Sequence, residues 1–304
     1  MKASWGDAIV LIALWVATAG FWQVTGNTVH QEVQHTRQLQ QNATAFISNG
    51  VDAECGRHPY MVSLRSTNNV HKCGGVLVGP KWVLTAAHCV DPNDPGSTGT
   101  TPIIFIGACN LDDLVNENGV VETVLPKKAF IHEEWDGKVE NGNDIALLKL
   151  RKRSQHAHAG LPMDNHVIRG ASRLVTLGWG LGSSRAKVLQ QVTMEAIESG
   201  ECGAPDAWGS VITESMVCGQ GVDGGNVCEG DSGGPLIEAH APDGNLSAGN
   251  PSVDIIVGLT SFGESNCEDP RLPSVFTRIS SFRPWIEAQM GVSIVSAANK
   301  ALKH

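Results

Sequence analysis

An antiparallel all-β fold, a barrel or a sandwich, is what this sequence predicts, and three observations predict it. Short apolar runs recur from Ile47 onward. Loops rich in Gly, Pro, Asp and Asn separate them, as at Asp91–Thr101 and Ala241–Ser252. The 34 glycines and 14 prolines lie between the runs, where they serve as turn punctuation.

In chain order the expected strands begin with Tyr60–Leu64, then Val76–Val78 and Trp82–Leu84, two runs divided by Gly79-Pro80. Ile103–Ile106 is wholly apolar, and Ile145–Leu150 follows a polar Asn-Gly-Asn-Asp stretch. Leu174–Leu177, Val188–Ile197, Pro235–Ile237, Ile255–Leu259 and Val275–Ile279 complete the set. One amphipathic helix is expected at Ser281–Met290, with Phe282, Trp285, Ile286 and Met290 on one face. No internal repeat or low-complexity domain interrupts this order.

Composition narrows the function. The chain has 304 residues, 41% hydrophobic and 17% charged, which suits a packed core rather than disorder. A formal net charge of −9 gives no general attraction for polyanions, so a nucleic-acid partner is not expected.

The N-terminus points to the secretory route. Lys2 precedes an apolar run, Ala8 to Trp22, which ends near Ala17, Thr18, Ala19 and Gly20. A bilayer core needs about 20 apolar residues, so a cleaved signal over residues 1–19 fits better than a span. An uncleaved signal anchor that tethers the protein to a membrane is the alternative reading. Gly26 to Thr44 is polar and without apolar periodicity, and residues 20–46 read as a pro-segment. Eight cysteines with no Cys-x-x-Cys favour disulfides over a zinc or redox site. Two sequons, at Asn42 and Asn245, are compatible with the same route.

Chemistry concentrates in three boxes. Gly230-Asp231-Ser232-Gly233-Gly234-Pro235 offers a serine flanked by glycines, whose backbone can turn tightly and present N–H groups to a reacting carbonyl. The serine needs a base. An α/β-hydrolase elbow would place the acid and then the histidine after it, whereas only His240 and His304 follow Ser232. The opposite order is present: His88 ends Leu84-Thr85-Ala86-Ala87-His88-Cys89, and Asp144 opens Asn143-Asp144-Ile145-Ala146.

With these boxes, Cys73-Gly74-Gly75, Trp82-Val83-Leu84, Gly178-Trp179-Gly180 and Phe276-Thr277-Arg278, the sequence resembles the trypsin/chymotrypsin family of serine endopeptidases from about Ile47 to Met290. The resemblance implies two six-stranded antiparallel barrels of the chymotrypsin type with a C-terminal helix, and residues 291–304 as a tail. It assigns Ser232 as nucleophile, His88 as general base and then acid, and Asp144 as the group that orients His88. It implies an oxyanion hole from the Gly230 and Ser232 N–H groups and a supporting role for Ser261.

The same resemblance places Asn226 at the base of the primary pocket, Gly263 on its wall and Ser274 where glycine is common. A family member with Asp at the base selects Lys and Arg, so Asn226 implies a neutral P1 side chain. It also implies a zymogen cut before Ile47, whose new amine would pair with Asp231. Phe46 rather than Arg or Lys precedes that bond, which points to a chymotrypsin-like activator or to the enzyme itself.

Pairs Cys73–Cys89, Cys202–Cys218 and Cys228–Cys267 are implied by the family, and Cys55–Cys109 is assigned as the remaining pair. No cofactor and no metal are expected. Asn110–Glu122 resembles a calcium loop, but Ala108 stands where calcium-binding members have their first glutamate. His156-Ala157-His158 is a weak metal signal, and Arg151-Lys152-Arg153 reads as a solvated turn. Protein or peptide substrates, protein protease inhibitors and a monomeric state are expected. The rival reading is an inactive homologue that only binds, which the intact His88, Asp144 and Ser232 disfavour.

Overall fold

The computed structural model describes residues 50–112, 121–164, 166–168, 173–180, 186–264 and 272–291. The signal and pro-segment readings, Ile47, Cys267, Glu117 and the 292–304 part of the tail lie outside those residues.

Fourteen strands run in order: β1 (Val51–Asp52), β2 (Met61–Arg65), β3 (His71–Gly79), β4 (Trp82–Thr85), β5 (Ile103–Ile106), β6 (Glu122–Val124), β7 (Pro126–Ile131), β8 (Ala146–Leu150), β9 (Arg173–Gly178), β10 (Gln190–Ile197), β11 (Met216–Gly221), β12 (Pro235–Glu238), β13 (Ile255–Phe262) and β14 (Ser274–Arg278). Among the described residues two α-helices are present, α1 (Ser199–Cys202) and α2 (Ile279–Met290). All the ladders between these strands are antiparallel.

The first sheet has the order β6-β5-β2-β3-β4-β8-β7. Its two edge strands, β6 and β7, are consecutive in the chain with only Leu125 between them. A single residue spans so little distance that the sheet must curl until its edges meet. The second sheet closes outright: β9 pairs with both β12 and β10, giving the ring β9-β10-β11-β14-β13-β12, with β1 added on β10. Strand β10 shows the physical cause, since buried and half-buried residues alternate along its whole length. Leu174, Met194, Val217, Leu236, Val257 and Phe276 fill that barrel.

Helix α2 begins at Ile279, earlier than its periodicity suggests, and ends on Gly291 in the left-handed region (φ 72°). It buries Ile279, Phe282 and Ile286 and returns to the first sheet, where His132 meets the rings of Phe282 and Trp285. Ile279, read from the sequence as the last strand residue, therefore opens the helix. Strands β1, β6, β7 and β11 and helix α1 have no counterpart in the apolar runs. Strand β7 opens Pro-Lys-Lys, and two-thirds of β11 is Gly, Cys and Gln, so neither looks apolar although both are paired.

Candidate active site

The two sheets each deliver half of the site. Strands β4 and β8 pair along their length, Thr85 opposite Ala146, so the residues just past β4 and just before β8 emerge together. His88 and Asp144 occupy those positions. Asp144 is 1% exposed, and its carboxylate gathers three donors: the His88 backbone N–H (3.0 Å), His88 Nδ1–H (2.8 Å) and the Ser261 hydroxyl (2.6 Å). Thr277 fixes the Asp144 carbonyl from β14 (2.8 Å). A carboxylate only accepts, so the proton of a neutral His88 sits on Nδ1 and the Nε2 lone pair is left able to accept a proton.

Electrostatics favour that arrangement. Burial pushes the Asp144 carboxyl up, but the charge of His88 and the three hydrogen bonds outweigh it and hold the group below the usual range. Burial likewise pushes His88 down, and the Asp144 charge and hydrogen bond, with the charge of Asp94, bring it above an ordinary histidine. Asp94 belongs to a turn that Trp135 ties to the segment before Asp144, through its indole N–H to Asp91 (2.9 Å).

Ser232 comes from the second barrel, on the turn between Cys228 and β12. Its carbonyl accepts the Gly74 N–H of β3 (2.8 Å), which docks the turn on the first sheet. The approach is close enough to need glycine: a Cβ on Gly233 (φ 73°) would strike Thr85 Oγ1 and the Gly74 carbonyl. Within the turn, Asp231 N–H donates to Cys228 and Gly234 N–H to Asp231. Neither the Gly230 nor the Ser232 N–H donates to another described residue. Both N–H groups are thus without an acceptor among the described residues.

Beside Ser232 lies a cavity of about 270 Å³, lined among others by Val227, Glu229, Ser261, Gly263 and Glu264. Asn226 and Ser274 sit behind its wall, 4% and 1% exposed. The Ser274 hydroxyl donates to Asn226 Oδ1 (3.3 Å) and accepts the Val227 N–H (3.2 Å). Both side chains of this pair are uncharged. Two carboxylate residues, the exposed Glu229 and the half-buried Glu264, are among the lining residues.

Asp231 is fully buried. Backbone N–H groups of Gly180 (2.8 Å) and Cys228 (2.9 Å) hold its carboxylate, yet burial still pushes its pKa up to about 6. No cationic side chain pairs with it among the described residues. Ile47, its expected partner, lies outside them.

Disulfides join Cys55 to Cys109, Cys73 to Cys89 and Cys202 to Cys218. Cys228 is also disulfide-bonded, and Cys267 lies outside the described residues. The triad of Cys73, His88 and Cys89 clusters like a metal site, but both sulfurs are committed to their disulfide. His156 packs against Gly107, away from any such cluster.

Two buried groups escaped the sequence reading. His71 is buried, with Nε2–H on the Gly230 carbonyl (3.2 Å) and Nδ1 on Ser63 Oγ (2.8 Å). It braces the turn that carries Ser232. Arg57 and Asp254 form a buried ion pair joined by the Tyr60 hydroxyl, and the Arg57 guanidinium also reaches the carbonyls of His240 and Leu246. Neither lies in an active-site box, and only the fold brings their partners together.

A two-sheet β fold with an Asp-bonded histidine on one sheet and, on the other, a serine on a glycine turn whose carbonyl lies 3.5 Å from the sulfur of Cys89, next to that histidine, defines a serine hydrolase of the peptidase kind. The trypsin family profile matches residues 47–286. Chymotrypsin-like elastase family member 1 of Canis lupus familiaris is 33% identical over 266 residues, covering 83% of this chain and 95% of the relative. Granzyme M of Rattus norvegicus is 36% identical over 256 residues, covering 81% and 90%. The chain belongs to the trypsin family and is a serine endopeptidase.

Proposed function

We propose that this endopeptidase works through Ser232, His88 and Asp144, that it is secreted as a zymogen, and that it cleaves after neutral side chains. The observation that carries the reading is the three-donor cradle on buried Asp144, because it fixes the His88 tautomer beside the Ser232 cavity. His88 Nε2 takes the Ser232 proton as Oγ attacks the scissile carbonyl. The Gly230 and Ser232 N–H groups receive the oxyanion, at about 3 kcal/mol per donor in comparable sites. His88 then gives the proton to the leaving amine, and water repeats the cycle on the acyl-enzyme.

The neutral Asn226–Ser274 pair supports the P1 preference, since a buried cation would find no charge there. Asp231 supports the zymogen. A buried carboxylate without a cation costs several kcal/mol, and an α-amine released at Ile47 would neutralise it. Cleavage between Phe46 and Ile47 suits the same neutral pocket, so the enzyme can activate its own precursor. The signal-like start and the disulfides support secretion.

The test starts from purified precursor. Active enzyme is added to the Ser232→Ala precursor and the N-terminus is sequenced, and the activated wild type is exposed to a peptidyl phosphonate and to a P1 library. The expected results are a new N-terminus at Ile47, phosphonate on Ser232, and faster cleavage after Phe or Leu than after Arg. Phosphonate elsewhere overturns the nucleophile, an intact precursor overturns self-activation, and Arg preference overturns the pocket reading.

A further inference from the structure

We propose that the β7–β8 end of the first sheet is a docking site for a sulfated polysaccharide, separate from the cleft. Six of the chain's 22 Lys and Arg gather there: Lys127 and Lys128 on β7, Lys149 on β8, and Arg151, Lys152 and Arg153 directly after it. Lys128 and Lys149 are cross-strand neighbours. Like charges placed opposite each other destabilise a sheet, so this pairing lowers stability rather than adding to it.

One carboxylate lies at this end, that of Glu122 on β6, and it accepts the Gln155 backbone N–H (2.7 Å) rather than pairing with a cation. No carboxylate pairs with any of the six among the described residues, whereas Arg57, Lys187 and Arg283 all have acidic partners. Neither β7, β8 nor residues 151–155 contain an Asp or Glu. Two of the lysines are also held in place. Lys128 Nζ lies 4.2 Å from the Phe130 ring centre and Lys149 Nζ 4.8 Å from that of Trp82, and Arg151 Nε donates to the Pro126 carbonyl. Ordering the cations in advance reduces the entropy lost when an anion binds.

Charge is segregated along the hairpin. The β7–β8 connection carries Glu133, Glu134, Asp136 and Glu140 and leads to Asp144, while the cations occupy the opposite end of the same strands. The five residues of β8, at ~3.3 Å each, put about 16 Å between Ala146 and the basic turn. A polyanion is thus attracted at one end and repelled at the cleft, despite the net charge of −9. Among polyanions, a sulfated glycan fits best. Its dense charge needs no base-reading groove or stacking platform, and it is the class met along the secretory route proposed above. Binding itself does not depend on that route or on catalysis.

The experiment measures binding of size-fractionated heparin to the activated enzyme by calorimetry. Fully desulfated heparin, duplex DNA and phosphatidylserine vesicles serve as competing probes. Binding should weaken roughly a hundredfold between 50 and 200 mM salt, as for about four released counterions. The Lys127→Gln/Lys152→Gln/Arg153→Gln variant should bind at least tenfold more weakly with unchanged turnover of a small substrate. A Lys72→Gln/Lys138→Gln/Lys187→Gln control, with the same net charge, should bind as wild type does. Equal loss in the control, or no heparin binding at 50 mM salt, overturns the site. Tighter binding of DNA, vesicles or desulfated chains overturns the sulfated-glycan assignment.

Discussion

The two sheets hold similar numbers of strands yet finish their halves of the site differently. The first sheet curls until its edges meet at Leu125, and its contribution, His88 on Asp144, is complete once the chain folds. The second is closed by ladder bonds, yet its contribution includes Asp231, a buried acid with only backbone donors around it among the described residues. Closure of a barrel and readiness of the site it carries are separate properties. The His88–Asp144 pair is built by packing, whereas the Ser232 turn has a charge that packing alone does not satisfy.

Removing the proposed nucleophile breaks the comparison most severely. Ser232→Ala should lower kcat/KM by roughly 10⁴-fold or more, with an unchanged melting temperature, because triad members act as a unit. Activity within tenfold of wild type in a clean preparation would contradict the assignment.

Asp231 sharpens the difference between the halves. Its pKa is about 6 in the fold and 3.8 outside it, so the folded state binds its proton more tightly. Stability from this group is present below about pH 4 and is lost as pH rises through about 6. Against Asp231→Asn, both in the Ser232→Ala precursor, the wild-type side chain should lose about 3 kcal/mol between pH 4 and pH 8. Denaturant titrations of both proteins read this directly. After cleavage before Ile47 the loss should vanish, since an α-amine would hold the carboxylate charged. A pH-independent difference before cleavage would remove the conditional half of the comparison.

A comparable effect with the opposite sign is expected at His58. Burial and the Arg57 charge lower its pKa to about 4, so the fold keeps it neutral while the unfolded imidazole takes up a proton, and stability is lost as pH falls from about 6.5 towards 4. Relative to His58→Gln, wild type should lose about 3 kcal/mol over that interval. Calorimetric unfolding at pH 7.5 and pH 4.5 measures it.

The smallest effect concerns the finished half. Ser261→Ala removes one of three donors to Asp144 and should reduce kcat/KM about tenfold, the worth of a hydrogen bond to a charged group. The acidic limb of the wild-type profile should lie above pH 6.5, because His88 must be neutral to act and its pKa is raised. A limb at pH 5.5 would show that Asp144 does not stabilise the imidazolium.

Legibility in the sequence followed the range of the interactions. Ser232, His88 and Asp144 sit in local boxes whose glycines and apolar neighbours are themselves informative, and strands such as Ile103–Ile106 declare their burial by composition. Strand β7 stays hidden because its two lysines have an open face to point to, and β11 because Gly219 and Gly221 pair without adding apolar pattern. His71, Arg57 and Asp254 were silent for another reason. Their partners lie 159 and 197 residues away, so only the folded chain shows why a charge or an imidazole is buried there.

One consequence follows from the Cys55–Cys109 bond. Both of its cysteines lie after Ile47, and residues 1–46 contain no cysteine at all. A cut before Ile47 would therefore leave the leader without a covalent tether to the protease. The severed segment would diffuse away, and the activated molecule would migrate as one chain of the same mass with or without reductant. Restoring the inactive state would then require fresh synthesis rather than re-docking of a retained peptide.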